Sequence, residues 1–97
     1  MDKQDFITAC KGVHPNIITE PAYMGSVDAT FGVRCIATYF PDHTARLYYE
    51  YGYEYETFDD AKEFEDALRW FIDHTPEDFF NDPDYVLDTT DIINAHD

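Results

Sequence analysis

Residues 27–56 read VDATFGVRCIATYFPDHTARLYYEYGYEYE, and residues 57–74 continue TFDDAKEFEDALRWFIDH. In the first stretch Val27, Ala29, Phe31, Val33, Cys35, Ala37 and Tyr39 alternate with mostly smaller or polar residues, the period of a strand with one buried face. Pro41-Asp42-His43-Thr44 is a turn signal. Alternation then resumes. Ala45, Leu47, Tyr49, Tyr51, Tyr53 and Tyr55 share one face, and Arg46, Tyr48, Glu50, Gly52, Glu54 and Glu56 share the other. The two runs, 27–40 and 45–56, predict an antiparallel β-hairpin whose second strand is apolar and aromatic on one side and acidic on the other. In the second stretch Ala61, Phe64, Leu68, Phe71 and Ile72 recur at helical spacing. They predict an amphipathic helix over 57–74 that covers the sheet, capped by Thr57 with Asp60 three residues later.

Working outward, residues 2–11 read as a short helix with Phe6, Ile7 and Cys10 on one side and Gly12 as its stop. His14-Pro15-Asn16 forces a turn, and Ile17 and Ile18 open an edge strand ended by Pro21. Thr75-Pro76-Glu77-Asp78 starts another helix, with Pro at its first position and acids in its first turn, anchored by Phe79 and Phe80 and broken at Asn81-Asp82-Pro83-Asp84. Tyr85, Val86 and Leu87 fit a strand or a helical turn, and Thr90 caps a last short helix with Ile92 and Ile93. The order helix, strands, helices predicts an α+β fold: one small domain over 1–97, an antiparallel β-sheet of about three to four strands with helices packed on one face.

Composition bounds function. The chain has 97 residues, 44% hydrophobic and 18% aromatic, which is core material enough to argue against disorder. It carries 21 Asp and Glu against 6 Lys and Arg, a formal net charge of −15. Residues 1–49 hold five of the acids and four of the bases, so nearly all the excess lies in residues 50–97. Charge of this size destabilises a compact chain through self-repulsion, and it excludes direct binding to nucleic acid or to an anionic membrane. The N-terminus lacks a basic segment followed by an apolar run, and no stretch approaches the roughly 20 apolar residues of a membrane span, so a cytoplasmic protein is expected. Cys10 and Cys35 lack metal-type spacing and read as reduced, packed thiols.

The acids form patterns. At about 100° per residue, Asp59, Glu63, Asp66 and Asp73 fall within one sector of the predicted helix, opposite Phe64, Leu68 and Phe71. A solvated face normally interleaves Lys and Arg to gain i,i+4 pairs, and here only Lys62 and Arg69 are available. Glu50, Glu54 and Glu56 add a strand row with Tyr48 among them, and Asp82 and Asp84 with Asp88 and Asp91 add a tail. These acids and Tyr48 are the candidate partner-binding residues. The tail acids lack the Gly and closing Glu of a calcium loop, and His14, His43, His74 and His96 lack zinc spacing. No nucleophile motif, phosphate loop or nucleotide fingerprint occurs, so no cofactor and no enzymatic activity are expected.

Small size, one acidic half, abundant tyrosine and the lack of a catalytic motif together resemble the DNA-mimic inhibitor proteins of bacteriophages. That group includes anti-restriction proteins, uracil-glycosylase inhibitors and anti-CRISPR proteins. It is united by charge and shape. The resemblance implies an inhibitor of a basic DNA-binding protein or ribonucleoprotein, foremost the Cas proteins of a CRISPR surveillance complex, whose DNA channel its carboxylates would occupy. Two other readings compete: an acidic anti-restriction or immunity-type protein capping another basic enzyme, and a calcium-binding domain or small metal-dependent enzyme.

Overall fold

The computed structural model describes residues 1–50 and 54–84. The expectations for Tyr85–Leu87, Asp88, Asp91 and a helix at Thr90 lie outside the described residues. The architecture is α+β: five antiparallel strands in the order β1-β2-β3-β4-β5, covered on one side by helices. The strands are β1 (Ile18–Pro21), β2 (Val27–Phe31), β3 (Arg34–Phe40), β4 (Thr44–Glu50) and β5 (Glu54–Phe58). The helices are α1 (Lys3–Val13), α2 (Ala61–His74) and α3 (Glu77–Asn81).

The sheet has five strands rather than three or four because each predicted long strand folds back on itself. Residues 27–40 turn at Gly32-Val33, where Gly32 has φ of 63° and Phe31 pairs with Arg34. A glycine with positive φ at the first loop position suits a two-residue hairpin. Its close contact also excludes other residues, since a Cβ at Gly32 would collide with the Phe80 carbonyl. Residues 45–56 likewise divide between β4 and β5, which pair antiparallel from Ala45–Phe58 to Glu50–Glu54.

A β-bulge resets the alternation within β3. Thr30 pairs with Cys35 but Ala29 pairs with Ala37, so Ile36 is the extra residue. Ile36 and Ala37 are consequently both buried, while Val33 and Cys35 are exposed rather than in the core. Cys10 is buried as expected, and both thiols are free.

α1 begins with a capping box in which Asp2 accepts from the Asp5 amide at 2.8 Å and Asp5 accepts from the Asp2 amide at 3.2 Å. It runs through Gly12 to Val13, with His14 as C-cap just before Pro15. α2 starts at Ala61 and is capped by Asp60, whose carboxylate accepts from the Lys62 amide at 2.8 Å. The predicted cap, Thr57, belongs to β5, because the strand alternation persists through Phe58, which is buried. Pro76 stands at the N-cap of α3, one position earlier than expected.

The core is a single cluster. Phe6, Ala9 and Cys10 of α1 meet Phe64, Leu68 and Phe71 of α2 and Phe79 and Phe80 of α3 over Val27, Ala29, Ala37, Tyr39, Ala45 and Leu47 of the sheet. Phe64, Leu68 and Phe71 have no exposed surface, as the helical spacing predicts. Each such side chain contributes about 1.5–3 kcal/mol on burial. Arg34 ties α3 to the sheet: its guanidinium lies 4.1 Å from the Phe79 ring centroid, and it donates to the Phe79 carbonyl at 2.6 Å and the Asp82 carbonyl at 3.0 Å.

Candidate partner-binding surface

The packing that buries Phe64, Leu68 and Phe71 aims the opposite side of α2 at solvent, where Glu63, Asp66 and Asp73 are exposed. With a rise of 1.5 Å per residue, Glu63 and Asp66 stand about 4.5 Å apart along the axis and Asp66 and Asp73 about 10.5 Å. Asp59 does not share this row. It sits in the bend before the helix, exposed, with its carbonyl accepting from the Met1 amine at 2.7 Å. The helix begins two residues later because Asp60 caps it. Asp60 is exposed as well, so acids crowd the positive end of the helix dipole, where they stabilise it.

The two bases of α2 are already engaged on their own helix. Lys62 contacts Asp66 at 3.0 Å and Arg69 contacts Glu65 at 3.4 Å, both at i,i+4. The Asp66 hydrogen bond holds the Lys62 amine above the usual lysine range. Glu63 and Asp73 have no cationic partner among the described residues. The same holds for Glu77 and Asp78, exposed in the first turn of α3. Asp82 and Asp84 are exposed after α3, where Asp82 accepts from the Asp84 amide at 2.9 Å.

The strand row does not hold together. Glu56 pairs in register with Leu47, which puts it on the helix-bearing side of the sheet, exposed at the β5 edge. Tyr48 pairs with Tyr55 on the opposite, open side, their ring centroids 6.5 Å apart. The physical reason is the antiparallel pairing of β4 with β5: two paired strands replace one long strand, and their relative register decides the facing. Glu50 and Glu54 pair with each other at the end of this ladder. Tyr55, predicted on the core face with Leu47, is 48% exposed for the same reason.

Trp70 is the residue that the acid pattern passes over. At about 100° per residue it falls between Glu63 and Asp66 in the acidic sector. It is half-buried and stacks on His74 with centroids 4.5 Å apart and planes 14° from parallel. The signal is its helical phase, which a pattern of acids alone does not register. An aromatic among carboxylates gives such a surface an anchor as well as charge. Among the described residues, no three His, Cys, Asp or Glu side chains come together as a metal site, and no helix is long and apolar enough to cross a membrane. Compared with protein-family models, with curated protein sequences and with solved structures, the chain matches none of them.

Proposed function

We propose that this protein is an inhibitor by mimicry: its helix-layer carboxylates occupy the DNA-binding channel of a basic partner, foremost a CRISPR surveillance complex, and block target DNA. The observation that carries the reading is the acidic row of α2 and α3. Glu63, Asp73, Glu77 and Asp78 are exposed and unmatched by any base among the described residues, while Lys62 and Arg69 are already taken by Asp66 and Glu65. Carboxylates in such a row offer a guanidinium or ammonium group charged oxygen acceptors, as phosphates do. Phosphate contacts supply much of the affinity of DNA-binding proteins, so masking the Lys and Arg that make them suffices to inhibit. Charge complementarity of this kind also steers association and speeds it.

The test is competition for DNA by a triple variant, Glu63→Lys, Asp66→Lys and Asp73→Lys, whose fold is checked by circular dichroism. The variant stays folded and inhibits about tenfold or more weakly, because each reversal sets like charges against the partner's bases. Inhibition by the parent also falls as salt rises from about 50 to 500 mM, across the range in which the Debye length drops below 10 Å. A folded triple variant that blocks DNA as well as the parent sinks the reading.

A further inference from the structure

The side of the sheet away from the helices carries its own pattern. One row crosses all five strands in register: Glu20, Asp28, Thr38, Arg46 and Thr57. Its acids lie on β1 and β2, its neutral centre on β3 and its base on β4. Arg46 is the unusual member. Its guanidinium lies 4.8 Å from the Phe40 ring centroid and 4.5 Å from that of Tyr55, and it makes no ion pair or hydrogen bond among the described residues. Asp42 in the adjoining turn feels its charge but forms no ion pair with it, so the half-buried guanidinium keeps its donors for a partner.

The next row toward the Gly32 end places the exposed apolar residues at its two edges. Ile18 on β1 is 57% exposed and Tyr55 on β5 is 48% exposed. Cys35, the exposed one of the two cysteines, lies near the middle on β3.

We propose that a second copy of this chain docks on this open face about a two-fold axis running along β3. That axis exchanges β2 with β4 and β1 with β5. It sets Arg46 of each copy against Asp28 of the other and Ile18 of each against Tyr55 of the other. Both complementarities come from the same axis, as an interface of like patches requires. Packed sheets stand about 10 Å apart, within joint reach of an arginine and an aspartate. The net charge of −15 opposes association, though Glu63, Asp66 and Asp73 of α2 lie on the helix side of the sheet. Docked this way, the two helix layers are roughly 30 Å apart at about 10 Å per layer, several Debye lengths at physiological salt. The face measures roughly 24 by 17 Å from strand spacing and rise, about 800 Å² over both copies, below the roughly 1,200–2,000 Å² of stable specific interfaces, so the dimer is a weak one. It presents two acidic helix layers pointing away from each other. The α2 row takes no part in the interface, so loss of the dimer and loss of inhibition are separable.

The experiment measures mass by sedimentation at about 0.5 mM protein, where a weak dimer is populated. The full chain then shows a species of twice its 11.4 kDa mass. A bismaleimide of about 10 Å span, matched to the sheet spacing, joins two copies through Cys35. Arg46→Glu, and separately Asp28→Arg, place like charges across the axis and return the protein to monomer. Combining the two restores the dimer with the charges exchanged, which simple damage to the face would not do. If Asp28→Arg fails to fold, Arg46→Glu and the Cys35 cross-link decide alone. A single-chain mass at this concentration, as when another segment of the chain covers the face, overturns the proposal. So does a dimer that Arg46→Glu leaves intact or that Cys35 does not cross-link.

Discussion

Replacing Gly32 with alanine tests the packing of α3 at a single atom. Gly32 holds φ of 63°, a region that costs an alanine about 1 kcal/mol. The added methyl would collide with the Phe80 carbonyl, which is main chain and cannot rotate away. α3 must therefore shift. That strains the bond from the Val33 amide to the Phe80 carbonyl at 2.8 Å and the bond from Arg34 Nε to the Phe79 carbonyl at 2.6 Å, together worth about 2 kcal/mol. The sum is about 3 kcal/mol before any exposure of Phe79 and Phe80, a large part of the roughly 5–15 kcal/mol of a domain this size. Urea unfolding followed by Trp70 fluorescence and by circular dichroism should show a midpoint lowered by about 1.5–2 M. Gly12→Ala is the control. The nearest atom to its new methyl is Glu65 Oε1 at 3.2 Å, the end of a flexible side chain, and the position is helical. That change should leave stability unchanged or raise it by about 0.5–1 kcal/mol. A Gly32→Ala midpoint within about 0.3 M of the parent would refute the argument.

Three further outcomes follow from the caps and the thiols. Asp60→Ala removes the carboxylate that caps α2 and should cost about 1 kcal/mol in urea unfolding, whereas Thr57→Ala, at the expected but unused cap, should cost no capping energy. Burial pushes the Cys10 thiol up to about 12, so the folded state keeps a proton that the unfolded chain loses near pH 9. Stability from this group is full below about pH 9 and declines as pH rises toward 12, by up to roughly 4 kcal/mol at 1.36 kcal/mol per unit. Unfolding of the parent and of Cys10→Ala should therefore differ in slope across that window, and equal slopes would count against the assignment. Under native conditions a maleimide should label Cys35 and reach Cys10 only on unfolding.

Local chemistry was legible in the sequence wherever it acts within a few residues. The helical spacing of Phe64, Leu68 and Phe71 named the buried face of α2, and Pro41–Thr44 named a turn. In that turn Asp42 accepts from the Thr44 hydroxyl at 2.6 Å, the leading reason its carboxyl titrates below the usual range. The α+β class and the edge strand closed by Pro21 followed from the same rules. The excess of acid in the second half is likewise a property of the chain alone.

Tertiary structure decided the facing of the strand residues. Alternation has a period of two, so one inserted residue or one extra turn reverses every side chain beyond it. The bulge at Ile36 moved Cys35 from core to surface, and the pairing of β4 with β5 moved Tyr55 to the open face and separated Glu56 from Tyr48. Neither event has a strong local signature. Each is set by which strand lies alongside, a long-range contact. The same contacts chose Asp60 over Thr57 as the cap, by extending β5 to Phe58, and so removed Asp59 from the helical row. Charge could be counted along the chain. Its division between an acidic helix layer and a sheet face that sets Arg46 in one row with Glu20 and Asp28 required the register of five strands, because only pairing determines which side of a sheet a residue occupies.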